Sequence, residues 1–382
     1  MRISLPFALV LFSSLAAQAC KYRAVWFWQE DGHPYGASNI VGNAVLENQT
    51  VSFLTSRWVR RVYGSYGQQP VTSPTISANW NAKLDAAGIQ SQLLMSDNTW
   101  IFPTNHSSLL TKITQRVLNF NNAPGRTVPQ KFDGLHLDIE PHALTNWSAL
   151  TAADKRQWLF LLRDTYAVVR QHLASNGVPT FPVYADLPVW FDKLPADAGQ
   201  IGWTNAADRN QWFSDIATNL TGITFMAFDQ TALSAISNGV AWERANIAGT
   251  DVRVGLESDI GATNTWATLA DFNAMMETVE AAFGFADAVD IQDYTSWRQA
   301  WATLPILPVA VAYAVRSQAA AADISFETEA NWTYVVNYSM DLCGWQEVQR
   351  IPVSAPGKAT IPVRFDNVQG FWSITRFATP VP

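Results

Sequence analysis

The sequence predicts an α/β fold: a closed (β/α)8 barrel followed by a small antiparallel β domain. The first observation is that predicted strands alternate with predicted helices from residue 21 to about residue 305, which indicates a parallel sheet. The second is that this stretch holds about eight strand–helix units, the number that closes a barrel. The third is that no glycine-rich phosphate loop follows an early strand, which makes an open, doubly wound sheet the less favoured alternative.

Each predicted strand is a short apolar or alternating run, and each predicted helix carries apolar residues three or four positions apart. Gly88, Gly177, Gly249 and Gly284 are expected to end four of the helices. The predicted strands are 23–28, 61–66, 90–95, 133–140, 181–187, 222–229, 251–257 and 288–294. The predicted helices are 76–87, 107–120, 154–174, 205–219, 231–248 and 268–283, and a last helix starts at 295.

Composition narrows the class of protein. Hydrophobic residues make up 48% of the 382 residues and the formal net charge is -7, so we expect a packed, mildly acidic globule. No basic run indicates binding to nucleic acid or to an anionic membrane surface. The 17 tryptophans suit core packing, and a few of them at strand ends would suit stacking on sugar rings.

The first 19 residues resemble a secretory signal peptide. Arg2 is the basic start, residues 3–15 form the apolar core, and residues 17–19 read Ala-Gln-Ala, a small-residue cleavage site. The apolar run is too short to span a bilayer, and a buried first helix is the alternative. We therefore expect a secreted protein, or one of the bacterial periplasm or cell envelope, with no membrane span.

Cleavage after Ala19 would leave Cys20 at the N-terminus. Acylation of Cys20 is disfavoured because residues 17–19 make a poor lipobox. The other cysteine is Cys343, and in an oxidising compartment the two could pair. The sequence leaves that pairing open.

The C-terminal part of the chain has a different character. Residues 20–308 are expected to form the catalytic barrel, residues 309–323 an alanine-rich linker, and residues 324–382 a small β module with short alternating runs. Within that module, residues 338–345 read YSMDLCGW, which resembles a hairpin of small β-sandwich modules in secreted bacterial proteins. The resemblance implies an accessory module without chemistry of its own.

The fourth predicted strand carries a row of ionisable side chains. His136, Asp138 and Glu140 alternate with apolar residues, so they share one face of the strand. Glu140 stands at the carboxyl end, where parallel α/β proteins carry their chemistry. The alternative is a strand whose polar face lies in water.

Other predicted strands also end on polar or aromatic residues. These strand-end residues are Trp28, Tyr63, Asp97, Asp138, Glu140, Asp186, Asp229, Glu257 and Gln292. The sequence has no His/Cys cluster for zinc and no Gly-x-Ser-x-Gly elbow, so we expect no metal, no cofactor and no serine hydrolase. A cleft lined by acids with aromatic walls is typical of glycoside hydrolysis.

Two motifs resemble those of glycoside hydrolase family 18, which contains the chitinases. Residues 133–140, Asp-Gly-x-x-x-Asp-x-Glu, resemble that family's fourth-strand signature, and residues 225–229 resemble its sixth-strand Met-x-Tyr-Asp. The resemblance implies that Glu140 is the general acid, that Asp138 adjusts Glu140 and positions the substrate, and that Asp229 contacts the substrate.

The sequence also departs from that family. His136 stands where the family has a further aspartate, and Phe228 where it has a tyrosine that contacts the N-acetyl group. Loss of the tyrosine hydroxyl weakens the case for an acetamido sugar and for substrate-assisted chemistry. The chain is therefore interpreted as a divergent relative of these enzymes and not as a chitinase proper.

Glu257 supports a second mechanism. It ends the seventh predicted strand, and Glu140 and Glu257 resemble the acid and nucleophile of the large clan of retaining barrel glycosidases. That clan usually has Asn before its acid, where this chain has Ile139. A carboxyl separation of about 5–5.5 Å would favour retention through a covalent intermediate.

Several candidates also have purely structural interpretations. Asp133 is out of phase with the inward row and is expected to cap the turn, and His136 is expected in the barrel floor. Asp186 and Asp229 suit hydrogen bonds between strands, whereas Trp190 and Trp297 suit either sugar stacking or packing.

The sequence thus predicts a secreted glycoside hydrolase that uses Glu140, with an inactive carbohydrate-binding barrel as the alternative. The expected catalytic residues are Glu140, Asp138 and Glu257. The expected substrate contacts are Asp133, His136, Asp229, Trp28, Tyr63, Asp97, Asp186, Gln292 and Trp297. The sequence does not predict the sugar, the linkage or the oligomeric state.

Overall fold

The computed structural model of the protein describes residues 22–283, 289–302, 307–308, 312–315, 321–328, 332–339, 346–364 and 371–378. The predicted signal peptide and both cysteines, Cys20 and Cys343, lie outside the described residues. The chain divides into two compact units: Lys21–Thr303 form one, and residues from Leu304 onward belong to the other. Among the helices that the structure describes, none is both long enough and apolar enough to cross a membrane.

The first unit is a closed barrel of eight parallel strands in sequential order, and this confirms the predicted fold class. Its strands are β1 (Arg23–Phe27), β2 (Val59–Gly64), β3 (Gln90–Ser96), β4 (Gly134–Asp138), β5 (Val183–Pro188), β6 (Gly222–Met226), β7 (Asp251–Glu257) and β8 (Val289–Gln292). β8 closes the barrel by pairing with β1, Ala24 opposite Asp290. The carboxyl ends of all eight strands therefore meet at one mouth.

Helices connect the strands and cover the outside of the barrel. They are α1 (Ala37–Ile40), α2 (Ala44–Thr55), α3 (Gln69–Thr72), α4 (Pro74–Ala86), α5 (His106–Ile113), α6 (Asn119–Asn121), α7 (Ala152–Ser175), α8 (Ala206–Ala217), α9 (Leu233–Gly239), α10 (Ala241–Asn246), α11 (Leu269–Phe283) and α12 (Tyr294–Ala302). The longest, α7, begins with a capping box in which the side chains of Thr151 and Asp154 satisfy each other's backbone N–H groups.

Strand β4 shows how the alternating sequence positions the site. Leu135, Leu137 and Ile139 are fully buried in the hydrophobic core that includes the helices. Because successive side chains on a strand point to opposite faces, His136 and Asp138 point into the barrel. The inward direction of His136 and Asp138 was expected from the sequence. It turns the ionisable side chains of β4 toward the interior and mouth of the barrel.

Glycines make room for large side chains inside the barrel. A Cβ at Gly222 would lie 2.5 Å from the ring of Tyr184, and a Cβ at Gly255 would lie 3.2 Å from the ring of Trp26. These two positions therefore accept no larger residue while the rings stay in place. The large rings fill the barrel centre, so the interior is packed and not an open pore.

The floor of the barrel contains a buried ion pair. Arg253 Nε donates to Asp290 Oδ1 at 2.7 Å, and the hydroxyls of Tyr63 and Thr224 donate to Asp290 Oδ2 at 2.9 and 2.5 Å. Burial by itself raises the pKa of Asp290, but Arg253 outweighs it, and the pKa of Asp290 lies below its ordinary value. The floor acid is thus an anion with its own counter-charge.

Some element ends differ from the sequence prediction. The predicted strand 222–229 stops at Met226, so Phe228 and Asp229 lie in the following loop, where Asp229 has a φ of 63°. The predicted strand 288–294 stops at Gln292, and Tyr294 already begins α12. Both predicted strands were too long because the apolar and aromatic residues continue past the last residue that pairs with a neighbouring strand.

The predicted helix 231–248 consists of two helices, α9 and α10, which are separated at Val240. The sequence prediction had no helix between the first two strands, where α1 and α2 lie. The side chain of Asn43 begins α2 by accepting hydrogen bonds from the N–H groups of Val45 and Leu46.

The second unit contains antiparallel strands. They are β9 (Leu307–Pro308), β10 (Ala312–Val315), β11 (Ala321–Thr328), β12 (Trp332–Ser339), β13 (Gln346–Val353), β14 (Gly357–Arg364) and β15 (Phe371–Ala378), in the sheet orders β10-β11-β14 and β13-β12-β15-β9. β10 and the start of β11 pair within the stretch where a linker was expected, Ala312 opposite Ser325 and Val315 opposite Ala322. Most of the predicted hairpin motif, residues 340–345, lies outside the described residues.

The buried ion pair in the floor gives a stability prediction. Asp290→Asn removes the carboxylate that lies 2.5 Å from the Arg253 guanidinium, and it should destabilise the fold by about 3–5 kcal/mol, measured by denaturant unfolding. The matched control is Asp215→Asn, which removes a half-exposed pair with Arg163 and should cost less than about 1 kcal/mol. Equal effects of the two variants would contradict the role of the floor pair.

A second buried acid predicts a pH-dependent stability. Glu243 is fully buried, and neither of its carboxyl oxygens has a partner among the described residues. Burial, followed by the charge of Asp192, raises the pKa of Glu243 from 4.5 to about 8. An acid whose pKa is raised by folding keeps its proton in the folded state, so stability is lost as the pH rises from the unfolded-state pKa to the folded-state pKa.

Glu243→Gln should therefore be more stable than the parent protein by a few kcal/mol at pH 8, and the difference should vanish toward pH 4.5. Thermal unfolding across this pH range measures it. The control is Glu277→Gln on the exposed face of α11, which should show no such pH trend. A constant difference at all pH values would show that Glu243 does not carry a raised pKa.

Candidate active site

Three neighbouring strands place a row of polar side chains at the mouth. Ser96 on β3 pairs with Asp138 on β4, and Leu137 on β4 pairs with Ala185 on β5. One residue further along, the same register brings Asp138 beside Asp186. The strand order alone therefore sets these two carboxyl groups next to each other.

Asp138 is half-buried, and its Oδ1 has no partner among the described residues. Burial raises its pKa well above the ordinary value, and the nearby charges of Asp186 and Glu140 raise it further, while a hydrogen bond with Ser96 acts in the opposite direction. Asp138 therefore keeps a proton more readily than a free aspartic acid does.

Asp186 lies deeper than Asp138 and is fully buried. His136 Nε2 lies 2.7 Å from Asp186 Oδ2, and Trp26 Nε1 donates to the same oxygen at 3.1 Å. Burial lowers the pKa of His136 to about 3, so the imidazole is neutral and its contact with Asp186 is a hydrogen bond and not an ion pair. Asp186 is thus held by strands β1 and β4 rather than facing the solvent.

Glu140 follows β4 by two residues and borders the mouth. Its backbone N–H donates to Asn98 Oδ1 at 2.8 Å, and its side chain is 26% exposed. Burial raises the pKa of Glu140 above its ordinary value. A half-buried carboxyl group whose pKa is raised and that still reaches solvent holds its proton to a higher pH than free glutamic acid does, and this is a property of a general acid.

His142 lies beside Glu140. Its Nε2 is 3.9 Å from Glu140 Oε2, and its ring meets the edges of Trp190 and Phe191 at centroid distances of 5.6 and 5.9 Å. Burial lowers the pKa of His142 to about 4, so the imidazole is neutral at pH 7. A neutral neighbour does not stabilise the anionic form of Glu140, which preserves the proton on the acid.

A second group of acids occupies another part of the mouth. The pKa of Glu257 is raised first by burial and then by the charges of Asp229, Asp259 and Asp293. Burial raises the pKa of Asp293 to about 6, with a contribution from Glu30. The acids of β6, β7 and β8 thus act on Glu257, whereas Asp186 and Glu140 act on Asp138.

Four of the expected substrate contacts, Tyr63, Trp297, Asp133 and His136, are held by neighbouring parts of the fold. Tyr63 is fully buried and bonded to Asp290, and Trp297 is fully buried with its ring edge-on to Phe53 at 5.1 Å, so neither presents a face to a sugar. Asp133 is exposed, but its Oδ2 accepts the backbone N–H of Ser91 at 2.7 Å, which is the capping role that its position suggested. His136 is fully buried, as expected for a side chain below the mouth.

The other expected contacts lie near strand ends. Trp28 is half-buried and packs on the barrel interior, and Gln292 is half-buried opposite Glu257 in the β7–β8 register. Asp97 accepts the N–H of Thr99 at 3.0 Å and thereby begins the turn after β3. Asp229 is exposed in the loop after β6.

Sequence reasoning missed several groups at this site: Asn98, His142, Tyr166 and Asp293. Asp293 would have been found had the eighth strand been ended at Gln292, because it is then a strand-end acid. His142 stands in a short turn after Pro141, where the sequence pattern has no period to follow. Tyr166 is a helix residue that packs inward from α7, and nothing in its spacing distinguishes it from core residues.

The described residues contain no group of three or more His, Cys, Asp or Glu side chains that is arranged to hold a metal ion. A cavity of about 810 Å³ lies beside the first residues of β7 and is lined by Thr250, Asp251 and Arg244. This is the amino end of the strand, whereas Glu257 is at the other end. The cavity is therefore not part of the candidate site.

The chain was compared with family models, curated proteins and solved structures. No family model and no curated protein matches the chain. Among solved structures, a glucosidase from Croceicoccus marinus is 10% identical, with 95% of this chain and 96% of that chain covered and a TM-score of 0.43. A class V chitinase from Nicotiana tobaccum is 11% identical, with 74% of this chain and 99% of that chain covered and a TM-score of 0.41.

A noncanonic maltogenic α-amylase from Thermotoga neapolitana is 8% identical, with 95% of this chain and 99% of that chain covered and a TM-score of 0.41. At these identities and scores, the likeness does not bear on which residues act. The chemistry has to be argued from the site itself.

Proposed function

We propose that the chain is a glycoside hydrolase that cleaves a poly- or oligosaccharide, with Glu140 as the general acid. The observation that carries the proposal is the position of Glu140: it borders the mouth, is 26% exposed and has a raised pKa without an ionic partner nearby. Glycoside hydrolysis needs a carboxylic acid in this state to protonate the leaving oxygen.

The groups around Glu140 have distinct roles in this mechanism. Glu140 gives its proton to the glycosidic oxygen as the bond breaks, and positive charge develops on the sugar ring. Asp138, directly behind it on β4, contacts and positions the substrate. Half-buried Trp28, Trp190 and Phe228 supply apolar faces near the mouth on which sugar rings can stack.

We prefer Asp138 to Glu257 as the acid that works with Glu140. Asp138 and Glu140 stand at the end of the same strand, and the charge of Glu140 acts on the pKa of Asp138, whereas the charges that act on Glu257 are those of Asp229, Asp259 and Asp293. Export of the protein belongs to the same proposal and rests on the leader of residues 1–19.

Glu140→Gln should lower kcat by about 10²–10⁴-fold on any glycan that the parent protein hydrolyses, because it removes the transferable proton but keeps the shape. Release of reducing ends from a panel of polysaccharides measures this. The control is Glu277→Gln on the exposed face of α11, which should behave like the parent. Unaltered hydrolysis in Glu140→Gln would end the assignment, and glycan binding without any product would identify a non-catalytic barrel.

Glu257→Ala, which leaves room for an external anion, should lower kcat far less than Glu140→Gln, and added azide should not restore activity. Azide rescues variants that lack a carboxylate nucleophile because it replaces that group in attacking the sugar. A loss equal to that of Glu140→Gln, together with rescue and a glycosyl azide product, would instead make Glu257 the nucleophile of a retaining enzyme.

A further inference from the structure

Two neighbouring carboxyl groups at the mouth each have an oxygen that is buried and without a partner. These oxygens are Asp138 Oδ1 and Asp186 Oδ1, neither of which has a hydrogen-bond partner among the described residues. The β4–β5 register sets the two residues side by side on the inner face of the barrel. Buried polar atoms nearly always have a hydrogen-bond partner. Two neighbouring oxygens without one therefore need a common explanation.

The orientation of Asp186 is fixed from the opposite side. Trp26 Nε1 and His136 Nε2 both contact Asp186 Oδ2, at 3.1 and 2.7 Å. His136 is held in turn by stacking on Tyr63, with ring centroids 3.9 Å apart. Because both ring nitrogens meet Oδ2, the other oxygen of Asp186 is left for a different partner.

Among the described residues, the groups that act on the pKa values of this pair include no positive charge. The imidazole of His136 is neutral, and the charge of Arg253 is paired with Asp290. Glu140 and Asp290 repel an anion at the pair, Tyr166 is the other titratable group nearby, and Ser96 forms a hydrogen bond with Asp138. Two anions side by side in this dry environment are strongly disfavoured, whereas one proton between them removes a charge and satisfies both free oxygens.

We propose that Asp186 is a positioning residue for the reaction, which acts by holding one proton jointly with Asp138. In this arrangement His136 and Trp26 donate to Asp186 Oδ2, and Asp138 donates its proton to Asp186 Oδ1. The negative charge then lies on Asp186, where the two ring N–H groups oppose the burial that raises its pKa, and Asp138 is neutral next to Glu140. The kinetic consequences of this inference rest on the proposed function. The shared proton does not, because it can be measured without any substrate.

The direct test is infrared difference spectroscopy of the C=O stretch of protonated carboxyl groups at pH 7, which needs no substrate. Asp138→Asn and Asp186→Asn should each lose one protonated carboxyl group relative to the parent, and the double variant should also lose only one. A loss of two in the double variant, or of none, overturns the proposal. The control is Glu243→Gln, a buried acid outside the site, whose lost signal should add to that of Asp186→Asn.

The half-buried position of Asp138 keeps the test valid if Asp186→Asn does not fold. Asp138→Asn removes the other member of the pair and should lose the same proton. An unchanged carboxyl signal in this variant therefore overturns the proposal by itself. A protein in which Glu140→Gln leaves hydrolysis intact would refute the proposed function and leave this result untouched.

Kinetics distinguish positioning from a merely structural role. In Asp186→Asn the new amide donates to Asp138, which becomes an anion beside Glu140 and raises the pKa of Glu140. The alkaline limb of the kcat/KM profile should therefore move up by about one pH unit, with little change in KM. A lower kcat with an unmoved alkaline limb would show that Asp186 serves only the fold.

Discussion

The structure depends on one electrostatic constraint: the barrel interior neutralises the acid at its floor but not the acids at its mouth. Asp290 has the guanidinium of Arg253 beside it and stays an anion. Asp138 and Glu140, higher along the same barrel, have only neutral or negative neighbours. Such surroundings raise the pKa of a carboxyl group, and the raised pKa makes Glu140 suitable as an acid catalyst.

The fold produces this arrangement by register and packing. Pairing of β3, β4 and β5 sets Ser96, Asp138 and Asp186 in one row, and the large rings of Trp26 and Tyr63 exclude water beneath them. Gly255 allows Trp26 to reach across the barrel toward Asp186. The same residues that fill the core therefore also remove solvent from the acids, so stability and reactivity are coupled at this site.

The sequence predicted the parts of this account that follow from periodicity. Alternation along β4 placed His136 and Asp138 inside the barrel and Leu135 and Leu137 outside, and the strand–helix alternation predicted the closed barrel. The sequence has no comparable pattern that tells how far below the mouth of the barrel a strand residue lies. Tyr63 and Trp297 were expected to meet a sugar, but their environment is set by residues distant in sequence, Asp290 and Phe53.

Charge pairing was also beyond the reach of the sequence. Nothing in the order of residues indicates that Arg253 neutralises Asp290 and leaves Asp186 to His136 and Trp26. Loop residues such as His142 were missed because a short turn has no period. The pKa of Glu140 depends on such neighbours, so the sequence could suggest Glu140 as a candidate but could not predict the direction of its pKa shift.

The most direct test of the central claim is the pKa of Glu140 itself, measured by carbon-13 NMR titration of its labelled carboxyl group in the folded parent protein, with Glu140→Gln used to assign the signal. We expect Glu140 to titrate with a pKa above 4.5, the ordinary value for a glutamic acid. A titration at or below that value would mean that Glu140 is an ordinary surface anion, and the assignment of the acid would be wrong.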